Sequence, residues 1–238
     1  MPMPSLDERL SRLIREKHNN TLEKQAVIGS MDFDDTGLIL PPEPLRRVVQ
    51  VISGSGMPVT EVVFNDFTPE PNHANGGYYG PVGVGKNFRS FLLHHPPYVD
   101  PMSALAGAYM VNFYSYRKGD NPDLDFSFLK EAHEKYKPVT GIFASQHFCQ
   151  DLQIGLDLGW DGLREKAESF RALHGEDKRP FYDGLLLVID GIQGWIAHNA
   201  GHALRLGEAE PDPEIAAHLK DLHDMNLRVA HRKPETFL

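Results

Sequence analysis

Apolar positions recur at three- and four-residue steps through most of the second half of this chain, a pattern that predicts a helical body. Between Asp151 and Leu173 the stripe is Leu152, Leu156, Trp160, Leu163, Ala167 and Phe170, one face of an amphipathic helix. Phe181–Leu206 predicts a long helix with Leu185, Val188, Ile189, Ile192, Trp195, Ile196 and Ala203 on its buried side. From Leu185 to Ile196 it is nearly apolar all round, which predicts a deep position in the body. Asp212-Pro213-Glu214 opens another helix, with Asp212 as N-cap and Pro213 in the first turn. Its inner face carries Ile215, Leu219, Leu222 and Met225. The front half is less regular. Residues 5–24 read as a charged amphipathic helix, with Ser5 and Glu8 at capping-box spacing. Pro42–Ser53 reads as a short helix entered through prolines. Residues 54–101 are loop-rich, punctuated by GSG, PEPNHANGG and HHPP, with a short helix at Lys86–His94. Residues 102–116 are apolar and aromatic, compatible with helix or strand. Asp125–Tyr136 reads as a helix capped by Asp125.

Composition narrows the class of protein without choosing a function. The 238 residues can bury a substantial core, and 41% hydrophobic with 24% charged residues is ordinary for a globular chain. A formal charge of -9 with no basic run argues against nucleic-acid binding. A single cysteine, Cys149, excludes an internal disulfide framework. No run of about 18 apolar residues predicts a membrane span, and MPMPSLDERL lacks the regions of a signal peptide. A cytoplasmic location is the expectation.

Three motifs compete for chemistry. Met31–Gly37, "MDFDDTG", has the D-x-D-x-T spacing of a haloacid-dehalogenase-type phosphatase loop. There Asp32 would be the nucleophile, Asp34 the acid and base, and Thr36 the phosphoryl holder. The preceding AVIGS is a poor buried strand, and the same run describes a solvated acidic turn. Gly80–Asn87, "GPVGVGKN", matches G-x-x-x-x-G-K but places Asn87 where Ser or Thr would bind magnesium. No strand precedes it, so it reads as a Gly-rich surface or lining loop. Ser145–Asp151, "SQHFCQD", sets His147 and Asp151 four apart around Cys149. A catalytic zinc takes three protein ligands, and only the unsupported His94-His95 could supply a third. A polar pair facing a hydroxyl-bearing substrate and a buried histidine satisfied by a carboxylate both fit.

Read in order, "GIFASQHFCQDLQIGLDLGWDGLREKAE", "PFYDGLLLVIDGIQGWIAHNAGHALRL", "EPDPEIAAHLKDLHDMN" and "KPETF" resemble the N-terminal part of glycyl radical enzymes of the pyruvate formate-lyase and diol dehydratase type. The resemblance is good from about residue 100 to the end. Gln146 departs from the family's usual Gly before the histidine. Cys149 does not fall at the catalytic cysteine's place.

The resemblance implies a mainly α fold with a few short strands, the N-terminal helical part of a ten-stranded α/β barrel. It divides the chain into a loop-rich variable region, 1–100, and an incomplete pyruvate formate-lyase-like part, 101–238. It implies one wall of the substrate pocket of a lyase, dehydratase or formate acetyltransferase-like enzyme. His147 and Asp151 would contact substrate, with Asn112 and Tyr114 as further wall residues. No catalytic residue and no metal ligand is expected within the chain. The radical glycine belongs to a later segment and is installed by an activating enzyme that uses S-adenosylmethionine and an iron–sulfur cluster. Other expected partners are the remainder of the barrel, in a longer chain or a second subunit, and a second copy in a homodimer. The other readings are a non-catalytic helical subunit that docks or binds a ligand, and the phosphatase using Asp32. The ending HRKPETFL reads as a connector towards further chain.

Overall fold

The computed structural model describes residues 8, 10, 11, 14, 15, 48–52, 58–62, 67–101, 121–125, 127–137 and 151–236. The elements in chain order are β1 (Val48–Ile52), β2 (Pro58–Val62), α1 (Gly80–His94), α2 (Lys130–Tyr136), α3 (Leu152–Leu173), α4 (Arg179–Ala209) and α5 (Pro213–Val229). Short 3-10 turns, Ser127–Leu129 and Glu176–Lys178, lead into α2 and α4. Residues 8, 10, 11, 14 and 15 are helical, in line with the expected front helix, and all are exposed, Leu10 and Ile14 of its apolar face included.

The predicted helix over Pro42–Ser53 is corrected for Val48–Ile52. These residues form a strand that pairs antiparallel with β2, Val48 opposite Val62 and Ile52 opposite Pro58. VVQVI is dominated by β-branched residues, which favour extended backbone.

The Gly-rich loop reading of GPVGVGKN is corrected as well. The whole stretch is helical, forming the first two turns of α1. Three glycines in 15 residues should weaken a helix by roughly 1 kcal/mol each relative to Ala. Packing supplies the compensation. A Cβ on Gly85 would stand 2.6 Å from the Gly184 carbonyl oxygen of α4, and one on Gly184 would stand 2.5 Å from the Pro81 carbonyl oxygen. The helices therefore meet backbone to backbone, and further along Gly191 faces Arg89 while Gly194 faces Leu93. Asn87 is buried; its Oδ1 accepts from Glu70 N at 2.7 Å and its Nδ2 donates to Glu70 O at 2.9 Å, tying α1 to the segment before it.

Helix α4 is 31 residues long, about 46 Å at 1.5 Å per residue, and α1, α3 and α5 all pack against it. Its deeply buried positions are small or polar: Gly184, Gly191, Gln193, Asn199, Ala200, Ala203 and Gly207, with Ile189. The expectation that Leu185–Ile196 lies deep all round is corrected. Leu185 is 38% exposed, and Val188, Ile192, Trp195 and Ile196 are only half-buried. Close packing on small residues leaves the larger side chains at the margins of each contact. Helix α5 fulfils its pattern. Asp212 Oδ1 accepts from the Glu214 and Ile215 amides, and Leu219 and Leu222 join Val99 and Ala203 in a core flanked by Leu206, Ile215 and Met225. Asp125 caps as expected, accepting from Ser127 N at 2.8 Å, but it opens the 3-10 turn and not α2 itself. Among the described residues, no helix is long and apolar enough to cross a membrane.

Candidate functional site

Of the predicted substrate contacts, Asp151 is the one the structure describes. It is the N-cap of α3, with its Oδ1 accepting from Ile154 N at 3.4 Å, and it is exposed. A side-chain oxygen facing the first free amides of a helix satisfies one of them, while its outer lone pairs remain open to a ligand. His147, Asn112 and Tyr114 lie outside the described residues, as do Gln146, Cys149, Asp32, Asp34 and Thr36. His95 is fully buried against the rings of Phe91 and Trp195, and its Nδ1 lies 3.0 Å from the Pro96 carbonyl. Burial pushes its imidazole below the ordinary histidine range, against the Pro96 bond.

Downstream of Asp151, α3 is interrupted at Gly159, whose φ of 64° and ψ of -178° lie outside helical geometry. The C-terminal connector passes over this break. A Cβ on Gly159 would come within 2.4 Å of the Arg232 carbonyl carbon and the Lys233 nitrogen. The interruption frees the Asp161 amide from the helix ladder, and it donates to the His231 carbonyl at 2.9 Å. The Asp161 side chain completes the join, accepting from Gln193 Nε2 at 2.7 Å and meeting His231 Nδ1 at 3.0 Å.

The network continues inward. Gln193 is almost wholly buried, and its Oε1 accepts from Arg164 Nη2 at 2.8 Å. Arg164 also pairs with Asp190, beside which lies Arg89 of α1 at 4.0 Å. The His231 bond, against a smaller desolvation effect, and then Gln193 and Arg164, hold the Asp161 carboxyl below its ordinary range. This junction joins α1, α3, α4 and the chain leaving α5. Its charged groups are committed to one another, which suits positioning more than proton transfer. No apolar stripe or named motif revealed it. The available signal was Gly159 within "DLGWDGL", a glycine in the middle of a predicted helix.

The rest of the α3–α4 hairpin presents apolar side chains outward. Leu152 is 70% and Leu173 77% exposed, with Leu156, Phe170, Phe181 and Leu185 also open. The buried stripe predicted for α3 is corrected at Leu152, Leu156 and Phe170, while Ala167 is buried and Trp160 and Leu163 are half-buried. The amphipathic pattern is present, but the described residues cover only its middle.

Residues 139–238 match the pyruvate formate lyase-like family. Two 4-hydroxyphenylacetate decarboxylase glycyl radical subunits, from Clostridioides difficile strains CD196 and 630, are each 34% identical over 92 aligned positions, taking in 34% of this chain and 10% of the relative. The chain thus spans about a tenth of the length of these curated relatives. Among solved structures, the glycerol-bound B12-independent glycerol dehydratase from Clostridium butyricum superposes with a TM-score of 0.50 at 11% identity, over 66% of this chain and 27% of that one. That likeness speaks for the fold. Asp151, the Gly159 break and the His231 junction all lie inside the segment, residues 139–238, that is similar to the pyruvate formate lyase-like family and, in the curated relatives, to glycyl radical subunits.

Proposed function

We propose that the chain forms one wall of the substrate pocket in a glycyl radical lyase or dehydratase, with the remainder of the barrel and the radical residues supplied by further chain or a second subunit. The observation that carries this reading is the match of residues 139–238, a segment that includes His147 and Asp151. The relatives' printed activities, decarboxylation of 4-hydroxyphenylacetate and dehydration of glycerol, share a small substrate bearing hydroxyl groups. His147 and Asp151 have the chemistry to bind such groups, and exposed Asp151 keeps acceptor lone pairs for one. In the complete enzyme the radical supplies hydrogen-atom abstraction. This chain's part is to bind, orient and keep water away. The open apolar side chains of α3 and α4 suit burial against the rest of such a body. A cytoplasmic location, a homodimer and a radical-installing activating enzyme are part of the same proposal.

The test is anaerobic co-production of the full reading frame with an activating enzyme, followed by electron paramagnetic resonance and product analysis on 4-hydroxyphenylacetate and glycerol. The expected result is a glycyl signal in both the wild type and His147→Ala, with turnover in the wild type alone. Unchanged turnover in the variant would overturn the role of His147. Failure of any glycyl signal to form would overturn the enzyme reading in favour of a non-catalytic helical subunit.

A further inference from the structure

We propose that His198 and His202 form a two-histidine chelating site for a divalent transition cation on α4, separate from the wall residues and from the His231 junction. The two residues belong to "HNAGH" and stand four apart in the uninterrupted helix Arg179–Ala209. Side chains at that spacing lie one above the other, with Cβ atoms about 6 Å apart. Two imidazoles so placed can converge on one ion, the arrangement by which histidines at i and i+4 on a helix hold zinc. Neither ring has a hydrogen-bond partner among the described residues, whereas His95, His174, His223 and His231 each contact a backbone or side-chain oxygen through Nδ1. His198 is exposed and His202 half-buried, so the pair is open on one side to an ion.

Imidazole ligands select zinc, copper or nickel over magnesium or calcium. Among the described residues no third His, Cys, Asp or Glu joins the pair, so solvent or an anion completes the coordination. Arg205 sits one turn further along, with its Nη1 3.5 Å from where a Cβ on Gly201 would be. Its positive charge opposes a bare cation and favours one that carries an anionic co-ligand.

The test uses the full 238-residue chain titrated with zinc chloride, and separately nickel chloride, by calorimetry. His198→Ala, His202→Ala and Arg205→Ala are compared, with exposed His133→Ala as control. One equivalent should bind to the wild type and to the control. It should weaken more than about tenfold in either histidine variant, at or beyond the 10- to 100-fold seen when groups supporting a metal ligand are removed, and tighten in Arg205→Ala. Far-ultraviolet circular dichroism confirms that each variant is folded; His198, being exposed, leaves the helix intact when truncated. No binding to the wild type, or equal binding in the wild type and both histidine variants, would overturn the assignment. Neither result bears on substrate turnover.

Discussion

Gly159 carries a demand that no other residue type meets at its position. Its positive φ is strained for any L side chain, and a Cβ would collide with the backbone of Arg232 and Lys233 at 2.4 Å. Gly155, one turn earlier in the same helix, has nothing within 4 Å of an added Cβ. The two glycines therefore respond oppositely to alanine. Gly155→Ala should stabilise the chain by up to about 1 kcal/mol, the helix-propensity difference. Gly159→Ala should destabilise it by about 1–3 kcal/mol or more, because the connector must move or the break must close. Urea denaturation of both variants measures this, and equal effects at the two positions would show that the break is not what holds the connector. The pKa directions have the same local origin. Asp161 is acidified because His231, Gln193 and Arg164 converge on it, and the His95 imidazole is pushed down because it is buried, with Phe91 and Trp195 against its ring.

Among the elements, the contact between α1 and α4 depends on small residues and not on large apolar ones. Helices usually pack with axes about 8–10 Å apart; where Gly85 meets Gly184, the backbone of one helix fills the place of the other's side chain. Adding a methyl group there is overpacking. Gly85→Ala and Gly184→Ala should each cost about 1–3 kcal/mol. The double variant should cost less than their sum, because the second methyl enters a gap the first has already opened. Thermal or urea unfolding tests this, and near-zero single effects would mean that the helices are not in backbone contact. The sequence of helix α1 points away from a helix. Its glycines carry a loop signal, and only the partner helix makes that composition suitable for a helix. Helix α5 is the opposite case. Asp212, Pro213 and the stripe Ile215, Leu219, Leu222 and Met225 are local signals that agree with the packing, so both cap and inner face were legible beforehand.

At the scale of the molecule, α1, α3 and α5 pack around α4, with apolar side chains left open on α3 and α4. Large open apolar patches mark surfaces meant for contact. Isolated 238-residue chain should therefore bind a hydrophobic dye such as ANS more strongly than a monomeric protein of equal size. Binding as low as that of the control would count against a surface made to be covered. Of the residues proposed to contact substrate, Asp151 alone is among the described residues; its place as the N-cap of α3 follows from "QDLQ", since a carboxylate just before an apolar stripe is a helix start.

The sequence by itself determined the helical body, the start of α5, and, through the order of four stretches, the likeness of residues 139–238 to the pyruvate formate lyase-like family. These are properties of short segments, and local chemistry is written in the residues concerned. Only the tertiary structure decided that Gly80–His94 is one helix, that Val48–Ile52 is a strand, that the middle of α4 is half-open, and that Asp161 and Gln193 secure His231. Each of these depends on groups far apart in the chain meeting in space. A Cβ that would strike Gly184, or an amide released by Gly159 to reach His231, leaves no periodic trace in the residues on either side.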